Sequence, residues 1–221
     1  MARESFQIHI KELEQELICM GEMVAMAVNC SIEALKSHNI SDAEKIISGD
    51  LLINNKRWHI EERCINLIAT QQPVASDLRD IIAILSIITD LERMGDHAEG
   101  IAKIVIMLGS KPLVKPLIDI PRMAEKAISM LRKSIEAFVK RDTNTAQVIC
   151  NEDDEVDALY EQVYRELLTY MIEDPKTIKR STYLLWVAHD LERIADRVTN
   201  ICERIVFLVA GKMEKINVSK Y

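Results

Sequence analysis

Two copies of one seven-residue pattern, D-L-E-R-x-x-D, lie 100 residues apart in this chain of 221 residues. The copies occupy residues 90–96 and 190–196. Two further landmarks recur in the same order at separations of 102 and 103 residues: Pro73 with Pro175, and residues 50–54 with residues 153–157. Three landmarks in one order at nearly one separation are difficult to obtain by chance. We therefore predict a tandem repeat.

The spacing of apolar residues indicates that each repeat is helical. Six glycines and five prolines make up only about 5% of the chain, against a usual share of about 12%, which argues against a turn-rich sandwich or barrel. In the segment 91–105, apolar residues recur at steps of three and four, as on one face of a helix: Leu91, Met94, Ala98, Ile101, Ala102 and Val105. We predict an all-α fold of two tandem three-helix up-and-down repeats, with six long helices at residues 4–37, 42–70, 74–108, 120–140, 143–172 and 175–210.

The breaks between these helices have recognisable chemistry. Ser41 or Asp42 can cap the second helix, and Gly109 and Gly211 can end the third and the sixth. Pro73 and Pro175 suit the first turn of a helix, where a missing N–H costs little. The predicted organisation is a first repeat at 1–109, a proline-rich linker at 110–119, a second repeat at 120–211 and a tail at 212–221.

Charge and cysteine content limit the classes of function. The net charge is −7, which disfavours binding to nucleic acid or to anionic membranes, because both depend on an excess of Lys and Arg. The five cysteines are scattered and form no C-x-x-C motif, so we expect small buried residues in a reducing compartment. The N-terminus lacks a signal-peptide core, and no uninterrupted apolar run approaches the roughly 20 residues that span a bilayer. We expect a soluble cytoplasmic protein.

Paired acidic residues on the D-L-E-R helices carry the most chemistry. Glu92 with Asp96, and Glu192 with Asp196, are four residues apart and therefore neighbours on one helix face. Such a like-charge pair destabilises a helix by roughly 0.2–0.5 kcal/mol. We expect a compensating cation at each pair, either an arginine or a metal ion.

The second helix of each repeat adds a matching pair, Asp50 with Asn54 and Asp153 with Asp157. Folding a repeat back on itself could bring one pair from each helix to a shared site, although the spacing does not specify which pairs meet. Clusters of carboxylates suit hard cations such as Mg²⁺ or Mn²⁺ and can also hold iron. The alternative is an ordinary surface ion pair or a feature inherited by both copies from a common ancestor.

Three arginines and a histidine are further candidates for functional contacts. Arg93 and Arg193 lie beside the acidic pairs, and they and Arg79 are potential partner contacts, each with a plain salt bridge as the alternative. His97 could be a metal ligand, but we expect it to face solvent. No histidine has a glutamate three residues before it, which disfavours a ferritin-like di-iron site.

These motifs together resemble the PhoU family, and the resemblance covers nearly the whole chain. Its specific pieces are Q-x-P-x-A-S-D-L-R at 71–79, D-L-E-R-M-G-D at 90–96, L-T-Y-M-x-E-D at 168–174, and L-E-R-I-A-D-R with N-I-C-E between residues 191 and 203.

The resemblance implies a cytoplasmic, usually dimeric, non-enzymatic regulator of phosphate uptake. Members of the family couple a phosphate ABC transporter to a sensor histidine kinase, and some bind metal clusters through paired E(D)-x-x-x-D motifs. Here those motifs fall on the four pairs above, in which Asn54 is the weak member because an amide binds a cation less well than a carboxylate. Fe, Mn, Mg and Zn are the candidate metals.

Two other readings of the residues remain open. One is a carboxylate-metal helical enzyme or a metal-storage bundle, and the other is a purely structural helical scaffold. Only the family resemblance, and no residue pattern by itself, indicates a role in phosphate uptake. The residues alone establish a helical repeat with acidic pairs.

Overall fold

The computed structural model describes residues 2–212, and within them the chain is all-α. The two repeats of three long helices are as predicted, with each boundary within three residues of its expected position. The helices are α1 Ala2–Ser37, α2 Ile40–Gln71, α3 Ser76–Leu108, α4 Asp119–Lys140, α5 Thr143–Glu173 and α6 Ile178–Ala210, with a one-turn 3-10 helix at Pro175–Thr177.

The helices pack as two three-helix units joined side by side. In the first unit α2 packs on α1 and α3, and in the second α5 packs on α4 and α6. The units meet where α3 lies along α6 and α1 lies along α4, so α2 and α5 are the outer helices. One continuous core results, in which side chains such as Leu17, Met20 and Phe138 are fully buried. Each such burial contributes about 1.5–3 kcal/mol.

The turn from the first to the second helix is built identically in both repeats. His38 and Arg141 adopt left-handed conformations, with φ of +53° and +56°. The next residue, Asn39 or Asp142, is the N-cap, and its side-chain oxygen accepts a backbone N–H bond from the first turn. Asn39 Oδ1 accepts from the Asp42 N–H at 3.1 Å.

The expectation that Ser41 or Asp42 caps α2 is therefore wrong. The cap must precede the N–H groups that it satisfies, and α2 begins two residues earlier than predicted, at Ile40.

The helix ends follow the expected glycine chemistry. Gly109 and Gly211 terminate α3 and α6 with φ of +61° and +70°, values that favour glycine. Pro73 lies in the loop before Ser76 rather than in the first turn of α3. Pro175 starts the 3-10 helix that leads into α6, so it does occupy a first helical position.

Helix α1 differs from the sequence-based expectation in its overall hydropathy. Phe6–Ser37 is long and apolar enough to cross a membrane by length and composition, although it lacks an unbroken apolar run. Half of its most apolar stretch is buried inside the bundle, as in the core helix of a soluble protein. The expectation that the cysteines are buried holds for Cys64, Cys150 and Cys202, whereas Cys19 and Cys30 on α1 are exposed.

Candidate functional site

The acidic pairs meet within each repeat, where the second helix packs against the third. The first-repeat cluster is defined as Asp50, Asn54, Glu92 and Asp96, between α2 and α3. The second-repeat cluster is defined as Asp153, Asp157, Glu192 and Asp196, between α5 and α6. The carboxylates of each cluster repel one another electrostatically. This pairing answers the question that the residue spacing left open.

In the first-repeat cluster an amide relieves part of the repulsion. Asn54 Nδ2 donates to Asp50 Oδ2 at 2.7 Å. The other oxygen, Asp50 Oδ1, is buried and has no hydrogen-bond partner. Burial raises the pKa of Asp50, and the carboxylates of Asp96 and Glu99 raise it further. The Asp50 side chain is therefore held in a position that favours a proton or a cation.

The second-repeat cluster is more strongly perturbed. Asp153 is only 5% exposed, and its Oδ1 atom has no hydrogen-bond partner. The pKa of Asp153 is raised to about 7, chiefly by burial and further by the neighbouring carboxylates of Asp157, Asp196 and Glu192. Burial also raises the pKa of Asp157 to about 6, with contributions from Glu192 and Asp196. This cluster carries more negative charge than its surroundings neutralise.

Arginine supplies part of the compensating charge. Arg193 donates to both oxygens of Glu192 at 2.8 Å, and its Nη2 lies 2.8 Å from Asp196 Oδ2. In the first repeat Arg57 Nη1 lies 3.5 Å from Glu92 Oε1. In each cluster an arginine thus pairs with the glutamate on the third helix of the repeat. The aspartates on the second helix, Asp50 and Asp153, each keep a buried Oδ1 atom without a hydrogen-bond partner.

The composition of the clusters fits a hard metal ion. All the donor atoms are carboxylate or amide oxygens, and each cluster contains one orphaned buried oxygen. Within residues 2–212, however, no three His, Cys, Asp or Glu side chains are already arranged to hold a metal ion. A metal at either cluster therefore requires side-chain rearrangement, most simply the release of Arg193 or Arg57 from its glutamate.

The remaining candidates have mixed placements. Arg93 is exposed. Arg79 is only partly exposed, because its guanidinium packs beside Gly211 at the end of α6, and its Nε is buried without a hydrogen-bond partner. His97 does not face solvent as expected, because its side chain is largely buried. Its Nδ1 lies 3.0 Å from Asp190 Oδ1 on the other repeat.

A pair of contacts that join the repeats was missed at the sequence level. Asp90 Oδ1 on α3 accepts from Asn200 Nδ2 at 3.1 Å and from Arg197 Nη1 at 3.4 Å on α6. Asp190 on α6 accepts in the same way from His97 on α3. The first aspartate of each D-L-E-R copy thus contacts residues that follow the opposite copy on its helix. The acceptors Asp90 and Asp190 lie 100 residues apart, as do the donors His97 and Arg197. This equal spacing was the signal in the sequence that could have revealed the symmetry.

The fold and the clusters define a class: an all-α tandem-repeat protein in which each repeat holds an acidic cluster between two helices. Comparison with known proteins narrows that class. The model of the PhoU domain matches residues 17–105 and 120–205, one stretch in each repeat. The chain belongs to the PhoU family.

Individual relatives match over almost their whole length. The phosphate-specific transport system accessory protein PhoU homolog of Clostridium acetobutylicum is 40% identical over 218 residues, covering 98% of this chain and 100% of that protein. The homolog from Aquifex aeolicus is 42% identical over 206 residues, covering 93% of each chain. The crystal structure of the phosphate transport system regulatory protein PhoU from Streptococcus pneumoniae matches with a TM-score of 0.88 at 35% identity, covering 95% of this chain and 99% of that one.

Proposed function

We propose that this protein is an accessory regulator of phosphate uptake and of phosphate-starvation signalling. The observation that carries the proposal is a match along nearly the whole chain to relatives named as accessory proteins of a phosphate-specific transport system. In this role it acts in the cytoplasm as a non-enzymatic adaptor between the ATPase component of a phosphate ABC transporter and a sensor histidine kinase.

The architecture suits an adaptor physically. Two rigid three-helix units offer long helix faces on which partner domains can dock, and signalling is then a change in which partner is bound. We propose a homodimer that reaches the membrane only through its partners. Its net charge of −7 argues against nucleic acid as a partner.

Deletion of the gene tests this role. We expect the deletion strain to express a phosphate-starvation reporter at high phosphate and to take up labelled phosphate without restraint. The native gene should restore both, as should a control variant in which two exposed glutamates, Glu125 and Glu173, are replaced by glutamine. Unchanged reporter activity and uptake in the deletion strain would refute the proposal.

We further propose that the acidic clusters bind a metal ion that orders one docking face. Asp153, Asp157, Glu192 and Asp196 would hold it in the second repeat, with Asp50, Asn54, Glu92 and Asp96 as the weaker set. The ion would neutralise the unbalanced carboxylate charge at the helix interface. Support comes from the orphaned oxygens of Asp50 and Asp153 and from the raised pKa values of both aspartates.

Metal content and thermal stability test the metal step. Mn²⁺, Fe²⁺, Mg²⁺ and Zn²⁺ are added separately to protein that has been stripped with a chelator. We expect at least one of them to raise the melting temperature of the native chain. Replacing both Asp153 and Asp157 by asparagine should abolish most of that rise, whereas the Glu125→Gln/Glu173→Gln control should retain it. An equal rise in both variants would place the metal elsewhere.

A further inference from the structure

A groove in the first repeat is lined by apolar and small residues at positions where the second repeat has ion pairs. It lies between α1 and the first half of α2 and has a volume of about 450 Å³, within the usual range for ligand pockets. Its lining is mostly apolar and includes Met23, Met26, Ala27, Ile46, Leu52 and Ile53. Met26 and Leu52 are 67% and 64% exposed, an unusual state for large apolar side chains that line one groove.

The first two helices of each repeat correspond residue by residue at a separation of 103. The N-caps Asn39 and Asp142 follow this separation. So do the buried serines Ser31 and Ser134, each of which donates to the carbonyl oxygen three residues earlier, at 2.7 and 2.8 Å. The groove between α1 and α2 therefore has a defined counterpart between α4 and α5.

Two ion pairs bridge α4 and α5 at that counterpart. Lys126 pairs with Glu155, and Lys133 Nζ lies 2.8 Å from Glu152 Oε1. The four residues that stand 103 positions earlier are Met23, Leu52, Cys30 and Gly49. All four line the open groove. At the positions where the second repeat has two lysines and two glutamates, the first repeat has apolar or small residues and no bridge.

The groove also ends at an uncompensated negative charge. Asp50 lines it, and Asp50 Oδ1 is buried without a hydrogen-bond partner. Gly95 stands beside that atom, and a Cβ added there would lie 3.2 Å from it, whereas the second repeat has Ala195 at the matching position.

The acidic residues at the other end of the groove are already neutralised. Glu33 pairs with Lys36, and Asp42 pairs with Lys45, each at 2.7 Å. The groove is therefore apolar along its length and anionic at the end that holds Asp50. A complementary occupant is apolar along one face and carries a cation at one end.

We propose that this groove receives an amphipathic helix from a protein partner, with its apolar face against Met26 and Leu52 and, in the metal-free protein, a lysine or arginine at Asp50. The groove follows α1 over residues 23–37, roughly 21 Å at 1.5 Å per residue, which accommodates about four turns of helix. Apolar helices commonly dock in such grooves, and flexible methionines adapt to them. The inference rests on the proposed adaptor role and names the chemistry by which one partner is recognised.

The second repeat supplies the design of the test. Met23→Lys with Leu52→Glu copies the bridge formed by Lys126 and Glu155, closes the groove and leaves the net charge unchanged. The matched control is Val209→Lys with Ile172→Glu, which makes the same chemical change at two exposed apolar residues outside the groove. Circular dichroism and melting temperature establish that both variants fold.

The probe is a fluorescent 18-residue peptide of leucine and lysine in a helical amphipathic pattern, compared with a peptide in which glutamate replaces lysine. We expect the native chain and the control to bind the lysine peptide equally, and the groove-closing variant to bind it at least about tenfold more weakly. Asp50→Asn should weaken binding by about tenfold through loss of one charge-assisted hydrogen bond. The glutamate peptide should bind more weakly than the lysine peptide to the native chain.

Several results would overturn the proposal. Equal affinity of the native chain and the groove-closing variant places the peptide elsewhere, and equal binding of both peptides removes the role of Asp50. If neither peptide binds and the groove-closing variant alone turns a dimer into a monomer by light scattering, the groove is a contact between copies of this chain. Peptide binding is independent of the deletion experiment, so normal phosphate regulation in the deletion strain would refute the adaptor role and leave the groove intact.

Discussion

Asn54 and Asp157 occupy the same place in the two repeats, 103 residues apart, yet only Asp157 is a carboxylate. The amide of Asn54 donates to Asp50, which satisfies one oxygen of its neighbour. The pKa of Asp153 is raised to about 7, chiefly by burial, and Asp157 contributes the largest share of the carboxylate repulsion that adds to it. The neutral Asn54 and the shallower burial of Asp50 together leave the first-repeat cluster with less unbalanced charge than the second-repeat cluster.

The same asymmetry extends to burial and to the surrounding surface. Asp153 is almost completely buried, whereas Asp50 is partly exposed and borders the open groove. Under the two proposals above, the second repeat holds a cation inside and the first offers a surface to a partner. Each of the following variants tests that difference.

The largest expected effect is a gain in stability from Asp153→Asn in metal-free protein. A shift of about three pKa units corresponds to roughly 4 kcal/mol as an upper limit, and sharing among four carboxylates reduces it, so we expect about 2 kcal/mol at pH 8. Asp50→Asn should gain less than about 1 kcal/mol, because water screens its charge and Asn54 loses an anionic acceptor. Urea unfolding in the presence of a chelator measures both, and equal gains would remove the distinction between the clusters.

The same cluster predicts a direction for the pH dependence of stability. Asp153 and Asp157 have raised pKa values in the folded state, so between about pH 4 and pH 7 the folded chain binds more protons than the unfolded chain. Their contribution therefore becomes less favourable as pH rises through that window. We expect the melting temperature without metal to be higher at pH 5 than at pH 8, and the difference to shrink when both are asparagine. A profile that both proteins share would assign the slope to other groups, such as Glu14 and Asp80, which also have raised pKa values.

A smaller effect is expected where the two repeats join. Asp90 accepts hydrogen bonds from Arg197 and Asn200, whereas Asp190 accepts one from His97. Removing Asp90 leaves two partly buried donors unpaired, so Asp90→Ala should cost about 1.5 kcal/mol, against about 1 kcal/mol for Asp190→Ala. Urea unfolding of the two variants provides the measurement. The reverse order would show that packing of the aspartate, rather than the number of donors, decides the cost.

The sequence was sufficient for features that depend on local spacing. Apolar periodicity predicted six helices, the repeated motif predicted two copies, and the i, i+4 pairs placed Glu92 with Asp96 on one helix face. It was insufficient where the outcome depends on which helices meet. Nothing in the spacing of Asp90 specifies Arg197 as its partner, because that contact arises only when α3 lies along α6.

The groove in the first repeat is a second feature that the sequence alone did not predict. The correspondence at 103 residues is visible in the sequence at residues 50 and 153, but it is weak along α1 and α4. Those helices share few residues, and Ser31 with Ser134 becomes convincing only when both are seen to make the same buried hydrogen bond. Without that alignment, Met23 and Leu52 are ordinary apolar residues of two helices, and their exposure cannot be predicted.

The smallest expected effect comes from making the two clusters alike. Asn54→Asp adds the fourth carboxylate to the first-repeat cluster and removes the hydrogen bond that Asn54 donates to Asp50. Without metal this should cost about 0.5–1 kcal/mol, because the added charge is only partly buried. With a bound cation the cost should be offset, so the rise in melting temperature on adding Mn²⁺ should exceed that of the native chain. Asn55→Asp is the matched control, since Asn55 is the exposed neighbour on the same helix. If both variants respond to Mn²⁺ as the native chain does, the identity of residue 54 is not what separates the two repeats, and the difference must lie in the burial of Asp153.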